Sequence, residues 1–192
     1  MIYLKSAVNI IGVVLVGIVI VLLVPFILVG RGINKFLVGK PGYTDIYAPY
    51  YSSFDFYNGP KAWAESLADM PQSAIHLYAV HWAHHEIATG GFWQLFYNSA
   101  GVLAPEARDG FRAIGMDEVA ALIQSAMDQV ASPYPLIRDE RQTIVKEPQD
   151  RMTFAQDAEF YALVCNPKTI GGKPLYYKFA DAYAAQIRAN QS

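Results

Sequence analysis

Cysteine occurs once in 192 residues, at Cys165. That excludes an intramolecular disulfide framework and any CxxC zinc site. Charged residues are also scarce, at 17% against about 25% in an ordinary globular chain. With a net charge of −2, a basic nucleic-acid-binding domain is excluded, and the high apolar fraction argues equally against disorder. Several catalytic signatures are missing as well. Neither G-x-S-x-G nor G-x-G-x-x-G occurs. Gly172-Lys173 resembles the end of a phosphate loop, but Pro167 stands where its first glycine belongs and Pro174 where Ser or Thr belongs. No internal repeat is visible.

What is abundant is hydrophobicity, 53% of the chain, and it is concentrated at the front. Residues 7–30 read AVNIIGVVLVGIVIVLLVPFILVG, without a charge. At a rise of about 1.5 Å per residue this run spans roughly 36 Å, enough to cross a hydrocarbon core of about 30 Å with some tilt. It is longer than a signal-peptide core and lacks the small-residue cleavage pattern. The expectation is a retained single transmembrane helix that makes the lipid bilayer a partner. Lys5 lies before the span, and Arg31, Lys35 and Lys40 follow it. That bias predicts an inner (cytoplasmic) membrane location with the large domain in the cytoplasm, where an unpaired cysteine also fits a reducing compartment.

Three parts follow: an anchor with its basic flank (1–40), an aromatic-rich connection (41–60) and a helical domain (61–192). Beyond residue 40 the chain carries eleven basic and seventeen acidic side chains, a net charge of −6. The connection holds Tyr43, Tyr47, Tyr50, Tyr51, Phe54, Phe56 and Tyr57, most of them expected to wrap and bury against the domain.

Helices are expected over 61–70, from 74 to about 89 with Ser73 as cap, from Pro105 to Gly115, and from an Asp117 cap to Val130. The last has apolar residues at i, i+3, i+4, i+7, i+8 and i+11. Residues 132–150, charged and broken by prolines, read as a long surface loop. Met152–Val164 looks helical, 166–172 a turn, and 175–189 a final helix with Phe179, Ala180, Tyr183 and Ile187 inward. No segment demands a strand. The fold class is all-α: one transmembrane helix followed by a compact multi-helix domain.

Four histidines, His76, His81, His84 and His85, fall on one expected helix, with Glu86 beside them. His81 and His85, at i and i+4, are the weak candidates for a shared metal. The H-E-x-x-H pattern is not met, because Thr89 occupies the second ligand's place. Cys165 reads as a small buried hydrophobe. No catalytic machine and no cofactor is declared.

The stretch HEIATGGFWQLFYNSAGVLAPEARDGFRAIGMDEVAALIQSA, from His85, resembles the core of the bacterial DNA-mimic-protein-nineteen family. The matching residues are Glu86, Gly90, Gly91, Phe92, Gln94, Phe96, Asn98, Gly101, Ile114 and Gly115. The loop around Arg138 and Arg141 and the helix with Asp157, Phe160 and Tyr161 fit the family's later part more loosely, and the resemblance covers roughly 61–190. It implies an all-helical domain and, by the family's name, a protein that presents spaced carboxylates to a DNA-binding partner. Here Arg108, Arg112, Arg138, Arg141 and Arg151 interleave the acids and oppose that. Physically the motif reads as a corner. Gly90 and Gly91 permit a sharp exit from the preceding helix, Phe92 and Phe96 plug the core, and Gln94 and Asn98 bond open backbone groups.

The expected function is a membrane-anchored, non-catalytic module that binds another protein without binding nucleic acid directly, as an accessory subunit of an inner-membrane assembly. The alternatives are a DNA mimic and a metal-dependent enzyme built on His81 and His85.

Overall fold

The structure, a computed structural model, describes residues 41–165 and 173–191. Gly42–Ser192 is one compact unit. The expected membrane segment 7–30 and the expected turn at 166–172 lie outside the described residues. Among the described residues there is no strand, and no helix is long and apolar enough to cross a membrane.

The core is organised by helix α3, Gln72–Tyr97, which follows α1 (Thr44–Tyr47) and α2 (Gly59–Leu67). Its apolar residues are distributed around the axis, as a central helix requires. Leu77, Val80 and Ile87 on one side and Ile75 and Tyr78 on another are all buried. Helix α4 (Ala104–Ala113) packs along α3, and α5 (Asp117–Val130) packs on α4. Two further helices, α6 (Arg138–Val145) and α7 (Gln156–Phe160), lie against α3 and α5. A π-turn at Tyr161–Cys165 ends α7, and α8 (Tyr176–Ala189) is the last helix.

Several boundaries differ from expectation. Ser73 does not cap α3: the helix starts at Gln72, and the Pro71 carbonyl takes the Ala74 and Ile75 N–H groups. Asp117 is the first residue of α5 rather than its cap, placing its carboxylate favourably in the first turn. The α4–α5 junction is closed by backbone. Gly115 stands at φ +83°, with Gly115 N–H bonded to the Arg112 carbonyl and Met116 N–H to that of Phe111. This is the paired closure of a Schellman motif, and it accounts for the Ile114-Gly115 step. In α8 the buried residues are Tyr176, Ala180 and Ala184; Phe179, Tyr183 and Ile187 are only half-buried. Met152–Val164 is not one helix, since residues 151–154 run without helical structure before α7 begins.

The largest correction concerns 132–150. It is not a loop throughout, because α6 occupies Arg138–Val145 and buries Val145 and, completely, Arg141. A buried arginine looks like a surface charge to any hydrophobicity pattern, which is why the helix was hidden.

The aromatic connection does wrap the domain. Tyr43, Tyr47, Phe54 and Phe56 are buried, while Tyr51 and Tyr57 stay exposed. Phe54 stacks on Tyr78 of α3 with ring centroids 3.7 Å apart.

Candidate functional site

The motif residues meet where α3 is interrupted. Helical geometry holds to Thr89, fails at Gly90 (φ −149°, ψ 21°) and Gly91 (φ 74°, ψ −176°), and resumes from Phe92. Four side chains brace this break. Glu86, on the last full turn before it, accepts hydrogen bonds from Gln94 Nε2 at 2.9 Å and Asn98 Nδ2 at 2.8 Å. Gln94 and Asn98 therefore bond a carboxylate across the break, and not the open backbone groups expected for them. On the far side, Asp157 of α7 accepts the Phe92 N–H at 2.7 Å. It acts as a helix cap supplied from 65 residues away.

Phe92 and Phe96 are fully buried and pack against Phe154. A Cβ at Gly90 would collide with the Gln94 side chain. A polar cleft of about 340 Å³ opens beside the break, with Asp157, Trp93 and Arg151 in its wall. Burial pushes the Asp157 carboxyl up, against the Phe92 N–H bond and Arg151, which pull it down.

The C-terminal end of α3 is closed from α6. Arg141 donates through Nε to the Phe96 carbonyl (2.9 Å), through Nη2 to Asn98 (3.0 Å) and through Nη1 to Leu136 (2.6 Å). Gln142 and Arg138 both donate to the Tyr97 carbonyl. No carboxylate pairs with Arg141 among the described residues. Its charge is balanced by carbonyl dipoles at the negative end of a helix. Burial lowers the guanidinium's pKa, with Arg138 acting the same way and Tyr134 opposing, yet an arginine stays protonated at neutral pH. Gly101 leaves room for it: a Cβ there would lie 2.5 Å from Arg141 Nε.

The histidines make separate contacts. His81 Nδ1 bonds the Tyr43 hydroxyl at 2.9 Å, and that hydroxyl also meets the Tyr176 hydroxyl at 2.9 Å. His85 is exposed. Among the described residues no three His, Cys, Asp or Glu side chains form a metal-binding group. His84 packs on the Tyr176 ring and lies 3.8 Å from the Cys165 sulfur. Burial raises the Cys165 pKa.

A family model described as DMP19-like protein matches residues 68–189. The chain belongs to the DMP19-like protein family. No curated protein and no solved structure matches it. The DMP19-like region begins in the turn before α3 and reaches the last residue of α8, so every brace of the α3 break lies inside it. The aromatic connection lies outside it. Two residues that complete the DMP19-like corner, Asp157 and Arg141, sit far along the chain and carry no local pattern that marks their roles.

The half-buried His84 of this DMP19-like domain gives a pH dependence. Burial, helped by His81 and His85, pushes His84 down to about 4. The unfolded chain, with an ordinary histidine pKa of about 6.5, then binds the proton more readily than the folded one. Stability is therefore full above about 6.5 and falls as pH drops toward 4, by on the order of 3 kcal/mol. Denaturation midpoints measured across this window should show the fall, and His84→Leu should remove its largest single share, burial pushing His76 and His81 down as well.

Proposed function

We propose that this DMP19-like chain is a membrane-anchored, non-catalytic protein-interaction module, an accessory subunit of an inner-membrane assembly whose helical domain faces the cytoplasm. The observation that carries the reading is the internal use of the family motif. Gln94 and Asn98 both donate to Glu86, and Arg141 bonds the chain's own carbonyls. Groups committed in this way hold a shape and are not poised to react. The anchoring rests on the uncharged run at 7–30 and the lysines and arginines after it.

Affinity purification of the full chain from carbonate-washed membranes in mild detergent tests both halves. The expected result is retention in the membrane and one reproducible protein partner. Release by carbonate, or a chain that is repeatedly monomeric and partnerless, overturns the reading. A partner displaced by duplex DNA would instead favour a DNA mimic. Stoichiometric zinc that disappears in His81→Ala would favour a metal-dependent enzyme.

A further inference from the structure

The chain enters the compact unit at Gly42, and the last helix fastens on it there. The peptide group between Gly42 and Tyr43 is held at both of its polar atoms by α8. Asp181 accepts the Tyr43 N–H at 2.7 Å, and Arg188 Nη2 donates to the Gly42 carbonyl. Asp181 and Arg188 stand about two turns apart on one face of the helix. Arg188 also lies 3.8 Å from the Asp45 carboxylate. The Tyr43 side chain completes the hold. It is buried, meets Tyr176 and Tyr177 edge to face, and joins its hydroxyl to those of Tyr176 and to His81 Nδ1 on α3.

Elsewhere α8 is lightly held. It buries Tyr176, Ala180 and Ala184, while Phe179, Tyr183 and Ile187 are half-buried. Tyr176, its one large buried ring, touches His84 of α3 and Phe111 of α4. An alanine methyl contributes a small fraction of what a larger side chain does, and α3, α4 and α5 bury Leu77, Leu95, Phe111 and Ile123 completely. The connection beyond Asp45 is seated independently of α8. Tyr47 packs on Tyr78 and His81 of α3, and Phe54 stacks on Tyr78. Elements with little apolar burial open at a lower free energy than the core.

Gly42, Tyr43 and Asp45 lie outside the region that the DMP19-like family model matches, whereas α8 lies inside it. The last helix of the family domain is thus fastened by a segment that precedes the domain. We propose that α8 is a latch and Gly42-Tyr43 its catch: α8 opens as a unit while α3, α4 and α5 stay folded, and residues 42–45 come free with it. Release of the chain's entry into the domain and release of the last helix are then one event. The latch works in this way whatever the domain binds.

Native-state hydrogen exchange of the full chain in mild detergent, read residue by residue, tests the latch. The amides from Ala180 to Ala189, and the Tyr43 amide that Asp181 holds, should exchange through one common opening. That opening should be about tenfold or more frequent than the one that exposes the slowest amides of α3, α4 and α5. Tyr43→Phe and Asp181→Ala each remove a bond that opening breaks, so each should speed α8 exchange roughly tenfold. Ile123→Val, which trims a side chain buried in α5, should do the opposite: the slowest core amides speed up severalfold and α8 stays as it was.

Tyr43→Phe keeps the ring and Asp181 is exposed, so both variants should fold; should either fail, the parent and Ile123→Val patterns still decide. Protection that falls steadily toward Ala189 would mean fraying from the end and overturn the latch. So would a Tyr43 amide that exchanges apart from α8, α8 exchange that speeds up in Ile123→Val, or catch variants that leave α8 unmoved.

Discussion

Arg141→Met is expected to lower the stability of the domain by about 3–5 kcal/mol, the usual size of the effect when a buried, hydrogen-bonded charge loses its side of the arrangement. The reason lies in its acceptors. A buried ion pair can be replaced on both sides by hydrocarbon at little cost, but the groups facing Arg141 are the backbone carbonyls of Phe96, Asn98 and Leu136. No mutation removes them. Methionine fills comparable space and leaves those carbonyls in a water-excluded site with nothing to donate to them.

Arg141→Lys keeps the charge but offers a single point of donation where a planar fork is used, so it should recover only a minor part of the loss. Gly101→Ala should mimic the effect partially, because its methyl would press on the guanidinium. Denaturant titration of the full chain in mild detergent measures all three. A change under about 1 kcal/mol for Arg141→Met would mean that the carbonyls find water or other donors.

Gly91→Ala should cost about 3 kcal/mol or more, from two sources. The backbone at φ 74° and ψ −176° lies in a region that is essentially glycine-only. The added methyl would also approach the Asp157 carboxylate to 2.6 Å, displacing the group that caps Phe92. The second source can be separated from the first. Asp157→Ala alone removes the cap, at about 1–2 kcal/mol. In the double variant the collision has no partner, so the combined loss should be smaller than the sum of the single losses. Strict additivity would show that the backbone conformation alone demands glycine and that the contact with Asp157 is incidental.

These residues also mark how far the sequence could be read. The amphipathic spacing of Val119, Leu122, Ile123, Ala126, Met127 and Val130 gave α5 nearly to the residue. Gly90-Gly91 announced a break. What followed it was not legible, because a six-residue continuation such as Phe92–Tyr97 is too short to establish a period. The partners of Gln94 and Asn98 were misread because Glu86, one helical turn before the break, returns to their reach only after the bend.

The resemblance reaches Arg141 and Asp157 only loosely, and their roles are not legible in it. Each acts through a contact 43 or more residues distant in sequence at the helix ends of α3, and a charged side chain in a polar stretch gives no sign that it is buried. Tyr43 is a similar case on a smaller scale. Burial against the domain was foreseeable from the crowd of aromatics, but its hydroxyl bonds to His81 and Tyr176 were not.

The central claim is that the polar residues of the family motif brace a corner and do not form a reactive or ligand-binding surface. Denaturation of the full chain carrying Glu86→Ala, in mild detergent beside the parent chain, tests it most directly. The substitution leaves the Gln94 and Asn98 amides without their shared acceptor. It should reduce stability by about 2–4 kcal/mol, the range for losing hydrogen bonds to a charged group at a partly buried site. An unchanged midpoint would contradict the account, because a carboxylate that can be deleted without loss of stability is held there for something other than the fold.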